Sequence, residues 1–190
     1  MARPLPHDDA LRATLVELAS RAIATGGSQA LSLRSVAAEA GTTTAAVYTL
    51  FGGRDGLVRA VVEEGFRRFA EHLDAVPRTA DPAADLFALG LAYRENAVAN
   101  PHYYRVMFGT VDGHGDHDRG SVPGIVRPTF GVLRDAVARL PQSAEGTEET
   151  AMRLWALAHG LVSLELAGLL PGTAGERAAR YRAALLASRR

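Results

Sequence analysis

The sequence predicts an all-α fold: an N-terminal three-helix head joined by one long helix to a C-terminal helical bundle that dimerises. Three observations carry that expectation. Apolar residues recur at helical spacing in nearly every segment between breaks at Gly and Pro. No strand-like alternation and no internal repeat appears. A late segment, residues 154–170, is apolar on nearly every side, so a single chain's core covers only part of it and a second chain is expected on the rest.

Composition narrows the function classes. A chain of 190 residues can build one generous core or two small helical domains. It has no Cys, which excludes a disulfide framework and a Cys-based zinc site. Its 21 basic and 21 acidic residues cancel, so any contact with nucleic acid has to rest on a local patch, not on long-range attraction. The start, MARPLPHDD, lacks the apolar stretch of a secretory signal, and the apolar run at 154–170 is short for a bilayer and holds His159 and Glu165. A cytoplasmic protein with no membrane partner is expected.

Taken in order, residues 1–7 read as a loose arm in which Arg3 is available to a phosphate or minor groove. Asp8 or Asp9 is expected to cap a first helix whose stripe is Leu11, Leu15, Leu18 and Ala22, ended by Gly26 and Gly27. Ser32 caps a second helix with Leu33, Val36, Ala37 and Ala40 on one face. Gly41 then sits where a helix ends in a left-handed residue, and Thr42 and Thr43 are candidate caps for a third helix. On it Val47, Leu50 and Phe51 face the second helix, leaving Thr44, Ala45, Tyr48 and Thr49 as an outward stripe without charge.

A long helix is expected over 54–75, burying Leu57, Val58, Val61, Val62, Phe66 and Phe69. A linker at 77–82 leads to a helix capped by Asp81 and opened by Pro82, with Leu86, Leu89, Tyr93 and Ala97 inside. A short helix over 101–109 gathers His102, Tyr103, Tyr104, Met107 and Phe108. After the polar loop VDGHGDHDRG, helical spacing resumes over 121–140 through Ile125, Phe130, Leu133, Val137 and Leu140, with Pro123 tolerable in a first turn and Pro128 kinking or delaying the helix. Thr147 is expected to open the next helix through a partial capping box with Thr150. That helix has two stripes: Leu154, Leu157, Leu161, Leu164 and Gly168, assigned to a partner chain, and Trp155, His159, Val162 and Leu166, assigned to the core. A last helix, 174–187, joins the same interface.

The stretch LRSVAAEAGTTTAAVYTLFGGRDGL, residues 33–57, resembles the helix-turn-helix of the TetR family of bacterial transcriptional regulators through Gly41, Tyr48, Phe51, Arg54, Asp55 and Leu57. Three positions depart from the family's habit: Leu50 stands where His is frequent and is read as core, Arg54 stands where Lys is frequent and keeps the charge, and Thr42 replaces the usual apolar turn residue, which implies slightly weaker packing without loss of the motif. The Trp155, His159, Gly160 run is similar to the C-terminal domain of one TetR subgroup, named for Trp-His-Gly. The resemblance implies a DNA-binding domain over 8–53, a connecting helix over 54–76, and a ligand-binding and dimerisation domain over 77–190. It also implies a homodimeric regulator, a repressor by family habit, on a roughly palindromic double-stranded DNA operator.

The chemistry of the outward stripe fits that role. Small residues let a backbone approach a duplex, Thr offers hydroxyl and methyl to base edges, and Tyr48 offers a phenol to phosphate. Thr44, Ala45 and Thr49 are expected at bases, Tyr48 and Arg54 at phosphates, and Arg34 and Thr43 as further backbone contacts. A small-molecule effector site is expected from Tyr93, Tyr104, Met107, Phe108, Phe130, Trp155 and His159, where apolar rings carry a few polar tips. A plain core is the bland alternative for these residues. The loop residues His114, Asp116, His117 and Asp118 have metal-binding side chains but read as a solvated loop. No catalytic arrangement or phosphate-cradling loop is visible, so neither an enzyme nor a cofactor is expected. The rival reading is a helical small-molecule binding protein, or minor enzyme, that no longer reads DNA.

Overall fold

The computed structural model describes residues 6–108, 127–141 and 146–188. Arg3, the loop residues His114, Asp116, His117 and Asp118, and Pro123 and Ile125 lie outside the described residues. Within them the chain is all-helical: α1 (Pro6–Gly26), α2 (Leu33–Glu39), α3 (Thr44–Phe51), α4 (Arg54–Asp74), α5 (Pro82–Ala99), α6 (Pro101–Phe108), α7 (Arg127–Val137), α8 (Thr147–Leu166) and α9 (Ala174–Ala187), with one 3-10 turn at Ser28–Ala30. The described residues form two compact units, one of residues 6–67 and 102–108, the other of 68–101, 127–141 and 146–188.

In the first unit, Leu15, Val16, Ala19 and Ile23 of α1 close on Val36 and Ala37 of α2, Val47 of α3 and Leu57, Val58 and Val61 of α4. Leu11, Leu18 and Ala22, the rest of the expected α1 stripe, pack half-buried against this core. Tyr103 and Val106 of α6 join it, and the Tyr103 hydroxyl donates to Glu17 Oε2 on α1 at 3.0 Å. Gly65 makes room for α6: a Cβ there would stand 2.7 Å from Met107 Sδ.

In the second unit, Asp81 caps α5 by accepting from the backbone N–H of Ala83 and Ala84, both at 3.0 Å, with Pro82 in the first turn as expected. Asp85, one turn on and buried, accepts from Thr79 Oγ1 at 2.6 Å and from Arg139 Nη1 at 2.6 Å. The hydrogen bond from Thr79 first, and the guanidinium of Arg139 next, hold its carboxyl below the usual carboxylate range. Gly90 is the notch where α9 meets α5: a Cβ there would stand 2.7 Å from Leu185 Cδ1, and its carbonyl accepts from the Tyr181 hydroxyl at 2.8 Å.

The capping of α1 and of α8 differs from expectation. Residues 6 and 7 already belong to α1, so Asp8 and Asp9 fall inside its first turn and not at a cap. Gly146, with φ 84°, holds the cap position of α8 and supplies no side-chain cap, and the Thr150 N–H donates to the Gly146 carbonyl at 3.2 Å, so Thr147 is the first helical residue and not the cap. A reciprocal box exists one helix later, where Thr173 accepts from Glu176 N–H and the Glu176 carboxylate accepts from Thr173 N–H at 2.7 Å. The full Thr-x-x-Glu pattern was present there and only half present at Thr147. Pro128 is the second residue of α7, a position where proline is tolerated.

Candidate functional site

The α2–α3 pair is built by caps at both helix starts. Ser32 Oγ accepts from Ser35 N–H at 3.3 Å, and Thr43 Oγ1 accepts from Ala46 N–H at 3.2 Å. Between them Gly41 adopts φ 65°, and Thr42 N–H reaches back to the Ala37 carbonyl at 2.9 Å, so the chain leaves one helix and starts the next on a new axis. Val47 is fully buried and Leu50 and Phe51 pack half-buried against the core. Opposite them Thr44, Ala45, Tyr48 and Thr49 are all exposed, Tyr48 to 59%. Arg34 on α2 and the cap Thr43 are exposed as well.

Spacing alone did not reveal how α3 is held at its far end. Gly52 takes φ 73° and Gly53 φ 122°. A Cβ on Gly53 would lie 3.2 Å from Tyr48 Cε1, so the bare glycine leaves room for the Tyr48 ring to lie along the turn. At Gly56 a Cβ would stand 1.7 Å from the Phe51 carbonyl oxygen, closer than any side chain permits. Arg12 of α1 lies 5.3 Å from the centre of the Phe51 ring. Arg54, expected at a phosphate, donates through Nη2 to the Ser28 carbonyl and approaches Gln29 Oε1 at 3.5 Å.

The profile for bacterial regulatory proteins of the TetR family matches residues 15–61, and that for tetracyclin repressor-like C-terminal domains matches residues 86–187. The chain belongs to the TetR family. It is 31% identical over 136 residues to HTH-type transcriptional regulators of Mycobacterium bovis and Mycobacterium tuberculosis, covering 67% of this chain and 56% of each relative. The chain thus spans little more than half the length of those curated relatives. Among solved structures it is similar to a candidate regulatory protein, with a TM-score of 0.78 and 29% identity over 98% of both chains. The fold also matches the MbdR regulator from Azoarcus sp. CIB, with a TM-score of 0.71 and 19% identity over 93% of this chain and 97% of that one. The C-terminal match of this TetR-family chain is to the tetracyclin repressor-like profile; the Trp-His-Gly subgroup has no separate support.

The residues expected at an effector site fall into two groups. In the second unit of this TetR-family chain, Phe69 packs edge-on to Tyr93 at 5.1 Å, the Tyr93 hydroxyl meets His159 Nδ1 at 3.0 Å, and Trp155 lies 5.8 Å from His159 and 5.9 Å from Phe130. Burial pushes the His159 imidazole below its ordinary range, favouring the neutral ring. In the first unit Tyr104 and Phe66 pack on Phe108 at 4.9 and 6.1 Å, and Met107 covers Gly65. Glu165 is held by Arg94, at 2.7 and 2.8 Å, and by Arg177 at 3.3 Å, and these partners keep its carboxyl below the usual range. Among the described residues no helix is long and apolar enough to cross a membrane.

Proposed function

We propose that this chain is a DNA-binding transcriptional regulator that reads a roughly palindromic operator as a homodimer and responds to a small-molecule effector. The observation that carries the DNA reading is the exposed, uncharged stripe of Thr44, Ala45, Tyr48 and Thr49 on a helix capped by Thr43 and closed by Gly52, in a chain of this family. Such a face enters a major groove without an aligned charge to repel or misdirect it, and base edges meet hydroxyls and methyls. Tyr48 lies beside the phosphates, with Arg34 and Thr43 as further backbone contacts.

Dimerisation is supported by apolar surface on α8 and just beyond it and on α9: Met152, Leu164, Leu169 and Leu186 are 44%, 41%, 67% and 50% exposed. Leu154, Leu157 and Leu161 are half-buried on the same stripe as Leu164. Two heads brought together in this way would occupy major grooves about one helical turn, roughly 34 Å, apart. The effector reading rests on the Tyr93, His159, Trp155 and Phe130 group, where rings carry a phenol and a neutral imidazole suited to an uncharged, partly apolar ligand. Such a ligand acts by preferring one of two states of the body, and its preference limits how far it changes DNA affinity. Repression, a cytoplasmic location and the absence of enzymatic activity follow the family's habit.

Sedimentation of the purified chain, alone and with random-sequence duplex, tests the assembly. Two chains per particle and salt-dependent association with the duplex are expected; a monomer that ignores DNA at low salt would refute the reading.

A further inference from the structure

We infer that Arg54 is a positioning residue for the recognition helix and not a phosphate clamp: it ties the exit of α3 to the 3-10 turn between α1 and α2. This rests on the DNA-reading function proposed above. Arg54 is the first residue of α4, where the positive end of the helix dipole disfavours a cation and where Asp55 already supplies the favourable sign. A guanidinium there needs an acceptor, and it has one in the carbonyl of buried Ser28, with the Gln29 amide oxygen alongside. The Ser28 carbonyl also closes the 3-10 turn by accepting from Leu31 N–H at 3.2 Å. One side chain therefore connects the segment that leads into α2 with the segment that follows α3.

The rest of the junction makes that tie consequential. Gly56 brings α4 directly against the Phe51 carbonyl, and Gly53 sets the space for the Tyr48 ring. The last turn of α3 is thereby fixed to the first turn of α4, and Arg54 fixes that turn to the rest of the head. A shift of the α4 start moves Tyr48 with it. The charge-assisted contact that Arg54 makes through Nη2 restrains such a shift in a way a neutral side chain cannot.

Salt dependence separates the two roles, because each phosphate contact contributes about 0.9 to the slope of log K against log salt on B-DNA. Binding of the wild-type chain and of Arg54→Ala to a duplex selected by the wild type is measured at several salt concentrations, with amide hydrogen exchange on both proteins. The tie predicts affinity lower by about tenfold or more, the size of one lost hydrogen bond to a charged group, on an unchanged slope, with faster exchange at residues 28–31. A slope shallower by about 0.9, or unchanged exchange at 28–31, overturns it. If Arg54→Ala does not fold, Arg54→Lys decides. The tie predicts faster exchange and weaker binding despite the retained charge, whereas a phosphate clamp predicts wild-type exchange and near-wild-type affinity. A wild-type chain that selects no duplex defeats the DNA-reading function, while exchange in Arg54→Ala still reports whether the tie exists.

Discussion

Tyr48 and Gly56 sit eight residues apart and illustrate two kinds of constraint on one small head. Tyr48 is largely exposed, so its hydroxyl contributes little to folding, and its role at a phosphate belongs to the proposed DNA reading. Tyr48→Phe is expected to weaken DNA binding while leaving the melting temperature unchanged; unchanged affinity in a binding titration would remove the phenol from the contact list. Gly56 contributes by having no side chain. Gly56→Ala forces a Cβ onto the Phe51 carbonyl and should cost about 3 kcal/mol, at the upper end for an overpacked site, read from denaturant midpoints. Trp155 belongs between these extremes. It is half-buried, so Trp155→Ala is expected to cost about 2 kcal/mol, less than the roughly 3–5 of a fully buried ring. A cost in the full range would place it in a closed core instead of a site open to a ligand.

At the scale of elements, charge holds what apolar packing leaves loose. Glu165 on α8 has 8% of its side chain exposed and is met by Arg94 of α5 and Arg177 of α9, so one carboxylate joins three helices. Glu165→Ala leaves Arg94, with 15% of its side chain exposed, short of a counter-charge and should cost about 3 kcal/mol. The pH dependence follows from depressed values. The Glu165 and Asp85 carboxyls lie below their unfolded values, so the unfolded chain takes up protons first as pH falls. Their stabilisation is complete above the unfolded carboxylate range, about pH 4, and is lost as pH drops through the folded values. His159 adds an earlier loss of the same sign: its folded value is lowered by burial, so stability declines once pH falls below about 6.5. Melting curves from pH 7.5 to 5 on the wild type and His159→Phe should show a decline in the first that is smaller in the second.

The elements differ in how far the sequence disclosed them. The helices around Gly41 were legible because caps, a left-handed glycine and a 3.6-residue apolar period agree within one short stretch, and Ser32, Gly41, Thr43 and Asp81 do what those signals predict. α8 starts at Thr147 as expected, but its cap position is Gly146, which carries no side-chain signal, while Thr147 carries only half of a capping motif. The partners of Arg54 were invisible for a different reason. Ser28 and Gln29 are 26 and 25 residues away, and no local period or cap encodes a contact at that distance. Likewise, nothing local in the sequence marks Gly65 and Gly90 as the places where Met107 and Leu185 pack.

For the whole molecule, a net charge of zero and the uncharged stripe on α3 imply, under the proposed DNA reading, that specificity comes from shape, methyl contacts and hydroxyls, with modest long-range steering. Under the proposed homodimeric reading, affinity depends on presenting two heads at once, and the exposed apolar residues of α8 and α9 are the proposed means of bringing them together. Leu164→Glu with Leu186→Glu is expected to yield monomers in sedimentation and to lower operator affinity more than either exposed position alone would suggest; dimers that persist would move the interface elsewhere.

The proposed function puts the exposed face of α3 on a two-fold DNA site. The measurement that meets it most directly is selection of bound fragments from a random duplex pool by the purified chain, followed by sequencing of what is retained. The expected result is a motif with two-fold symmetry that vanishes in the Thr44→Ala, Tyr48→Phe double variant while its fold and dimerisation persist. Retention without a motif, or the same motif from the double variant, would contradict it.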